Sequence, residues 1–344
     1  FHIQKSTMSE NNITKITNER RLAFGSRDDL MCMAKIKYPW AIEIYDRQEA
    51  NTWFPKSIPL GGDREMYRNG GLTDRERNAY DKALAFVSNL DGIQFNNLIH
   101  NIGQHVTAPE VSLALARQAA EEGVHVRSYQ MMIDAISLNP EEVYMAFEQD
   151  GMLAKKNEFI LRGSQVLKGD PSPRNFARAI VGNVALEGIY FYSAFLVFYT
   201  LARQGKMLAS ADMIKYINRD EGETHLDLFT NMHHTFEQEN PELYDDQFRS
   251  DAVQILKDAT ELEIEWFKYI IQGGTGALTN GVGEMFLKGR ANHCSKRLGL
   301  GEIYPGITYE MAVPWFDSFA KPNGGRSNFF ERRATDYSVG GLAW

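Results

Sequence analysis

The chain has little cysteine and no run of basic residues, and both absences narrow its function. Two cysteines, Cys32 and Cys294, stand among 344 residues, too few for a disulfide framework, so a reducing cytoplasm is the expected compartment. The net charge is −8, and the scattered lysines and arginines argue against a nucleic-acid-binding protein. No signal peptide opens the chain, and Met8 is a candidate natural start.

Strand-type alternation and internal repeats are nearly absent, whereas apolar residues recur at helical spacing through most of the chain. Thr73 before a charged stretch predicts a helix N-cap, and Gly103 and Pro109 predict the end of one helix and the start of the next. The pattern predicts an all-α bundle. Helices are expected over residues 73–102, 109–138, 141–147, 155–167, 174–203, 246–271 and 280–298, with another from a cap at Ser210 or Asp212 to Glu239.

Three regions follow from this pattern. Residues 1–63 are mixed in character and are expected to form an N-terminal arm laid over the bundle. Residues 64–315 hold the long helical segments and form the bundle itself. Residues 316–344 are rich in glycine and arginine but end in Leu-Ala-Trp, a composition typical of a docking peptide.

The stretch Val181–Thr200 is the most apolar in the chain, and Glu187 is its one carboxylate. Its length would span a bilayer, but no second segment resembles it and its aromatics are not gathered at its ends. A core helix is therefore favoured, and no membrane is expected. An unpaired carboxylate in a core would cost several kcal/mol or lose its charge. A metal ion is the partner that this sequence can supply for Glu187.

Acids and histidines also occupy the faces of three other long helices. Glu122, His125 and Tyr129 lie at i, i+3 and i+7 of one face, and Glu221 and His225 lie at i and i+4 of another. With Asp91 and Glu187 they give four carboxylates and two imidazoles, donors that suit two divalent ions such as iron or manganese. Four negative ligands balance two divalent cations, which makes burial tolerable.

Each feature alone has a plainer interpretation. A single Glu-x-x-His is usually a surface feature, Tyr129 alone would be a core tyrosine, and Trp53 alone a core aromatic. What favours a dinuclear site is the combination of four helices with matching donors. The remaining candidates are interpreted as solvated or locally hydrogen-bonded groups: Glu121, Glu223, His100, His105, His233 and His234.

Several local patterns, in this order and spacing, resemble the radical-generating small (β) subunit of class I ribonucleotide reductase, a ferritin-like family with a dinuclear metal site. The resemblance runs from about Tyr38 to Tyr337. It rests on Leu90-Asp91-Gly-Ile-Gln94, Glu122-x-x-His125-x-Arg-Ser-Tyr129, Ala185-Leu186-Glu187-Gly-Ile-Tyr-Phe191-Tyr192, Arg219-Asp220-Glu221, and Glu331 with Tyr337.

The resemblance implies a ligand set and a radical residue. Tyr129 matches the tyrosine that the family oxidises, and Phe191, Phe195 and Ile217 match the apolar pocket around it. Glu122 and Glu221 are the implied bridging ligands. One metal would be bound by Asp91, Glu122 and His125, and the other by Glu187, Glu221 and His225.

One departure concerns the second Glu/His pair. The family usually has Glu-x-x-His there, whereas three residues separate Glu221 from His225 in this chain. An i, i+4 pair still shares a helical face, and a single-turn π-bulge could absorb the extra residue. Glu223 would point to another face, so it is not expected to replace Glu221.

The resemblance also implies a function, the reduction of ribonucleotides to deoxyribonucleotides with a separate catalytic (α) subunit. The metals would activate oxygen or superoxide, and the oxidising equivalent would be stored on Tyr129 or in the cluster. Trp53 and Asp220 match the family's relay toward His125, and Tyr337 matches its exit. A homodimer, docking of the α subunit to the C-terminal tail, and a possible flavoprotein activase follow from the same resemblance.

The metal and two rival functions are left open. A di-iron centre is favoured because Tyr129 is present, with dimanganese next and manganese/iron as a third form. A ligand-binding oxidase or monooxygenase on the same bundle would need a lipid-sized cavity beside the cluster. A ferritin-type storage bundle is disfavoured by the chain length and the long tail.

Overall fold

A computed structural model describes residues 12–27 and 30–322, and this part of the chain is helical, with isolated bridges in place of strands. The helices of the first half are α1 (12–19), α2 (Pro39–Ala50), α3 (Gly61–Arg68), α4 (Asp74–His100), α5 (Pro109–Ile136), α6 (Pro140–Tyr144), α7 (Ala146–Gln149) and α8 (Gly151–Gly169). Short 3₁₀ turns cover Pro55–Ser57, Ile102–Gln104 and Pro241–Leu243. The all-α bundle predicted from the sequence is confirmed.

Two long helices of the second half each contain a π-helical segment. The first consists of α9 (Pro173–Ala185), a π segment (Leu186–Tyr190) and α10 (Tyr192–Arg203). The second consists of α11 (Leu208–Arg219), a π segment (Asp220–His225) and α12 (Leu226–Glu239). The remaining helices are α13 (Asp246–Ile271), α14 (Asn280–Arg297), α15 (Tyr309–Ala312) and α16 (Phe316–Ala320).

Local signals fix most helix starts. Thr73 caps α4 in a capping box, because its hydroxyl accepts from the Glu76 amide at 3.2 Å and the Glu76 carboxylate accepts from the Thr73 amide at 2.8 Å. The predicted cap of α11 at Ser210 or Asp212 is wrong. That helix begins at Leu208, and Asp63 on α3 accepts from the amide of Ser210. The cap therefore comes from a distant helix.

The helix from Pro173 to Arg203 is long and apolar enough to cross a membrane, but 94% of its most apolar window is buried inside the protein. It packs against α4, α13 and α14. The predicted core helix is therefore confirmed, and Glu187 lies in its π segment.

Gly188 allows that π segment to approach α14 closely. A Cβ atom at this position would lie 2.2 Å from the Cys294 sulfur, so a larger residue fits only if the buried Cys294 side chain or α14 itself shifts. Arg290, which is buried, donates to the Gly188 carbonyl at 3.1 Å. The contact holds the backbone beside Glu187.

We expect Gly188→Ala to destabilise the protein by about 1–3 kcal/mol, the usual cost of overpacking a core, and to weaken metal binding because Glu187 would shift. Thermal unfolding and metal content per chain measure the two effects. Gly182→Ala is the matched control in the same helix, since a Cβ there meets no atom within 4 Å. Equal stability of the two variants would contradict the prediction.

Candidate metal centre

The structure brings the six predicted ligands together in the core of the bundle, all of them fully buried. They form two groups that share Glu122 and Glu221, and within each group one potential ligand atom per residue lies within 4.8 Å of the others. The six are Asp91 on α4, Glu122 and His125 on α5, Glu187 in the first π segment, and Glu221 and His225 in the second.

The two groups are nearly symmetric about the shared acids. His125 Nδ1 lies 2.8 Å from Glu221 Oε1 and 3.3 Å from Glu122 Oε2. His225 Nδ1 lies 3.0 Å from Glu221 Oε2 and 3.3 Å from Glu122 Oε1. Each shared carboxylate thus presents one oxygen to each histidine, which is the arrangement required of a bridging ligand.

The extra residue between Glu221 and His225 is absorbed by a π-helical segment, as the sequence analysis predicted. Within it the two side chains point to the same side, whereas Glu223 is exposed. The π segment at Glu187 had no counterpart in the sequence analysis. Both segments supply ligands, which agrees with the frequent occurrence of π-bulges at functional sites.

The hydrogen bonding of the cluster fits a metal centre. Six of its buried polar atoms have no hydrogen bond of good geometry, although His125 Nδ1 lies close to Glu221 Oε1 and Glu122 Oε2: both oxygens of Asp91, Glu122 Oε2, His125 Nδ1, Glu187 Oε2 and Glu221 Oε1. Buried polar atoms in proteins are normally hydrogen-bonded, so such a concentration of unpaired oxygen and nitrogen atoms needs another partner. Oxygen and nitrogen donors of this kind suit iron or manganese ions.

The electrostatics of the cluster point the same way. Burial raises the pKa of Glu187 well above its usual value, and the charge of Glu221 raises it further. Burial also raises the pKa of Asp91. Burial alone would lower the pKa of His225, but the surrounding carboxylates, Glu221 first, raise it above its usual value. The acids therefore require positive charge beside them, either protons or metal ions.

His125 is held by a carboxylate on its far side. Its Nε2 lies 3.1 Å from Asp220 Oδ2, and the Trp53 indole donates to the same oxygen at 2.8 Å. The ring of Tyr216 stacks on that of Trp53 with centroids 5.1 Å apart. The structure thus connects the predicted relay residues Trp53 and Asp220 to a cluster histidine through hydrogen bonds.

His225 has an equivalent partner that the sequence analysis missed. Its Nε2 lies 2.8 Å from Glu121 Oε2, and Arg117 donates to the other Glu121 oxygen at 3.3 Å. Glu121 is only 6% exposed, so of its interpretation as a solvated or locally hydrogen-bonded group, the solvated part is wrong, and the contact with His225 was not predicted. The sequence carries no signal for this contact, since 104 positions separate the two residues.

Asp220 and Glu121, the carboxylates that contact the two cluster histidines, are both linked by hydrogen bonds to residues 48–53 at the end of α2. Arg117 donates to the Thr52 hydroxyl at 2.6 Å, and Arg219 beside Asp220 donates to the Asn51 carbonyl. Trp53 itself is bound to Asp220. Residues 48–53 are therefore linked to His125 through Asp220, and to His225 through Arg117 and Glu121.

Two amides surround Glu187. Gln118 donates to Glu187 Oε1 at 2.8 Å and to Glu122 Oε1 at 3.2 Å, and Gln94 donates to the same Glu187 oxygen. A cavity of about 560 Å³ is lined by Asn97 and Leu186 among others, but by none of the six ligands.

The other predicted positions have mixed outcomes. Tyr129 is fully buried, and burial followed by the charges of Asp91 and Glu221 raises the pKa of its hydroxyl. His233 is buried, so of its interpretation as a solvated or locally hydrogen-bonded group, the solvated part is wrong. Tyr337 and the rest of the predicted tail beyond residue 322 lie outside the described residues. The predicted pocket residues Phe191, Phe195 and Ile217 are fully buried, while His100 and Glu223 are exposed.

Comparisons with known proteins agree with the geometry. The family described as "Ribonucleotide reductase, small chain" matches residues 30–310. The ribonucleoside-diphosphate reductase subunit beta of Treponema pallidum is 34% identical over 93% of this chain and 91% of that protein. The corresponding subunit of Halalkalibacterium halodurans is 30% identical over 91% and 90%. The solved ribonucleotide reductase R2 subunit of Clostridium botulinum is 36% identical with a TM-score of 0.83, covering 88% of this chain and 94% of that one.

Proposed function

Since this chain belongs to the family of class I ribonucleotide reductase small subunits, we propose that its buried cluster generates and stores the oxidant used by the large (α) subunit. As the small subunit of a ribonucleoside-diphosphate reductase, it acts together with that large subunit. The observation that carries the proposal is the sharing of Glu122 and Glu221 by two otherwise separate ligand groups.

Each ligand group would hold one metal ion. Asp91, Glu122 and His125 would hold the first ion and Glu187, Glu221 and His225 the second, with Glu122 and Glu221 available to both because the two groups share them. Two iron ions are the favoured content, with two manganese ions or one of each as the alternatives. When bound, such ions supply electrons for the reduction of oxygen or superoxide and so create an oxidising equivalent.

Tyr129 is the proposed store of that equivalent. On oxidation, Tyr129 would give one electron to the oxidising equivalent of the centre and its hydroxyl proton to a neighbouring carboxylate, and the carboxylate whose charge acts most on it is that of Asp91. Full burial keeps water from the ring. Phe191 and Phe195, stacked with centroids 5.7 Å apart, belong to the same apolar core.

The proposed route out of the core runs through hydrogen bonds. His125 contacts Asp220, Asp220 accepts from the buried Trp53 indole, and the next residue in the chain, Phe54, is exposed. An electron moving inward along this route would reduce the oxidised Tyr129 again. Tyr337 is proposed as the next carrier toward the large subunit, and the C-terminal tail as the docking segment. A homodimer, a cytoplasmic location and a flavoprotein activase remain further proposals.

Glu121 is expected to support the second site. Mutation of a residue that hydrogen-bonds a ligand histidine typically lowers metal affinity by about 10–100-fold. We expect Glu121→Gln to weaken the binding of the second metal equivalent within that range, since the neutral amide holds the His225 ring less firmly. Competition with a chelator measures the affinity. Glu223→Gln is the control, since Glu223 is an exposed acid of the second π segment. Equal affinities in the two variants would remove Glu121 from the site.

The function is tested by loading the apo chain separately with iron and manganese, exposing each sample to oxygen and to superoxide, and recording metal content, low-temperature EPR spectra and nucleotide reduction with the large subunit. Two irons per chain and a tyrosyl signal that is lost in Tyr129→Phe are expected. Two manganese ions and an EPR signal independent of Tyr129 would show instead that the metal cluster stores the oxidising equivalent. A chain that binds no metal would overturn the proposal.

A further inference from the structure

A third group of potential metal ligands lies on α12, about two turns beyond His225. His233, His234 and Glu237 each offer a ligand atom, and these atoms lie within 4.8 Å of one another. His234 Nδ1 is 3.9 Å from Glu237 Oε2. Glu237 lies three positions after His234 and four positions after His233, and both spacings place it on the same side of the helix as each histidine. None of them belongs to the dinuclear cluster.

Both histidines have their far ring nitrogen fixed by the end of α14. His234 Nε2 lies 2.7 Å from the Arg297 carbonyl, and His233 makes a hydrogen bond to the backbone of Leu298, the next residue. A carbonyl oxygen can only accept, so the bonded nitrogen of each ring carries the proton. Histidines that bind metals almost always donate their other N–H in this way.

His233 contributes an unpaired nitrogen in a buried position. The residue is 2% exposed, and its Nδ1 has no hydrogen-bond partner. Burial lowers the pKa of the ring to about 4, so the ring is neutral near pH 7 and Nδ1 keeps its lone pair. The ring of Tyr244 packs edge-on at 5.3 Å. A buried polar atom left unpaired in this way calls for a partner.

We propose that His233, His234 and Glu237 form a separate mononuclear site for a first-row transition ion such as Zn²⁺. Two imidazoles and one carboxylate are a known ligand set for zinc, with water in the remaining position. His234 is partly exposed, so water and the ion can reach the site. The bound ion would tie α12 to the last turn of α14 through the two anchored histidines.

Arg249 is expected to weaken the binding of a cation at this site. It donates to Glu237 Oε1 at 3.0 Å, which leaves Oε2 facing His234. Its positive charge also repels a divalent cation. Removing this charge is therefore expected to tighten zinc binding, whereas removing the Glu237 charge abolishes it.

The test uses the full chain, first loaded with manganese and then titrated with Zn²⁺, with zinc per chain measured after gel filtration. We expect wild type to hold one zinc more than His234→Ala and Glu237→Gln. Arg249→Gln should hold this zinc at least as tightly, and His100→Ala, at an exposed helical histidine, should match wild type. These variants leave the six cluster residues intact, so exchange of zinc into the cluster is common to all and cancels in the comparison.

A second measurement separates this proposal from the dinuclear one. In the Glu187→Ala background the extra zinc should persist and should still be lost on adding Glu237→Gln. Zinc should also raise the unfolding temperature of the wild type more than that of Glu237→Gln, since binding to the native state stabilises it. Equal zinc content in wild type, His234→Ala and Glu237→Gln would overturn the proposal, whatever the outcome at the dinuclear centre.

Discussion

Glu187→Ala is expected to reduce the metal content of the purified chain from two ions to one or none. Four carboxylates balance two divalent cations, so removing one leaves an uncompensated positive charge in a fully buried site. Breaking a buried charge pair typically costs about 3–5 kcal/mol, equivalent to a loss of affinity by roughly a hundredfold to several thousandfold. Elemental analysis after gel filtration gives the metal content directly.

Two further variants separate charge from shape. Glu187→Gln keeps the size of the side chain and an oxygen that can accept from Gln94 and Gln118, so it removes the charge alone and is expected to lose metal as well. Glu223→Ala removes an exposed acid and should keep full metal content. Full occupancy in both Glu187 variants would exclude Glu187 as a ligand.

Trp53→Phe is expected to lower nucleotide reduction with the large subunit by at least about 100-fold, equivalent to a barrier higher by ~3 kcal/mol, while metal content stays at the wild-type level. Phenylalanine cannot donate to Asp220, so the 2.8 Å hydrogen bond is lost. Its ring is also far harder to oxidise than an indole. The assay is steady-state reduction with metal content and EPR measured on the same samples.

The control for this variant is Trp40→Phe. Trp40 is a partly buried tryptophan of the same N-terminal region that packs against Tyr38, with ring centroids 6.3 Å apart. It should retain turnover. Wild-type turnover in Trp53→Phe would show that electrons do not pass through Trp53, and loss of metal in that variant would instead give Trp53 a structural role.

Patterns with short range were predictable from the sequence. The N-cap at Thr73 and the helix end predicted at Gly103 depend on neighbouring residues, so the bounds of α4 agree with expectation within two residues at each end. The Glu/His spacings share a helical face for the same reason, and even the π segment at Glu221 followed from one extra residue. Glu187 could be recognised because a lone acid in an apolar helix is costly wherever that helix packs.

Contacts between distant parts of the chain were not predictable in this way. Asp63 caps α11 from 146 positions away, and Glu121 supports His225 from 104 positions away. Glu121 and Glu223 look alike in sequence, yet one is buried against a histidine and the other is exposed. Which glutamate meets a histidine depends on the rotation and crossing of whole helices.

The sequence by itself thus determined the helical bundle, the donor types and the need for charge compensation at Glu187, because these depend on composition and on spacings within single helices. The tertiary structure alone decided that Glu122 and Glu221 face both histidines, that the segment carrying Trp53 is bound to both sites, and that His233 and His234 are anchored on α14. The physical reason is that side-chain convergence across helices is set by packing of their buried faces, which no local spacing specifies.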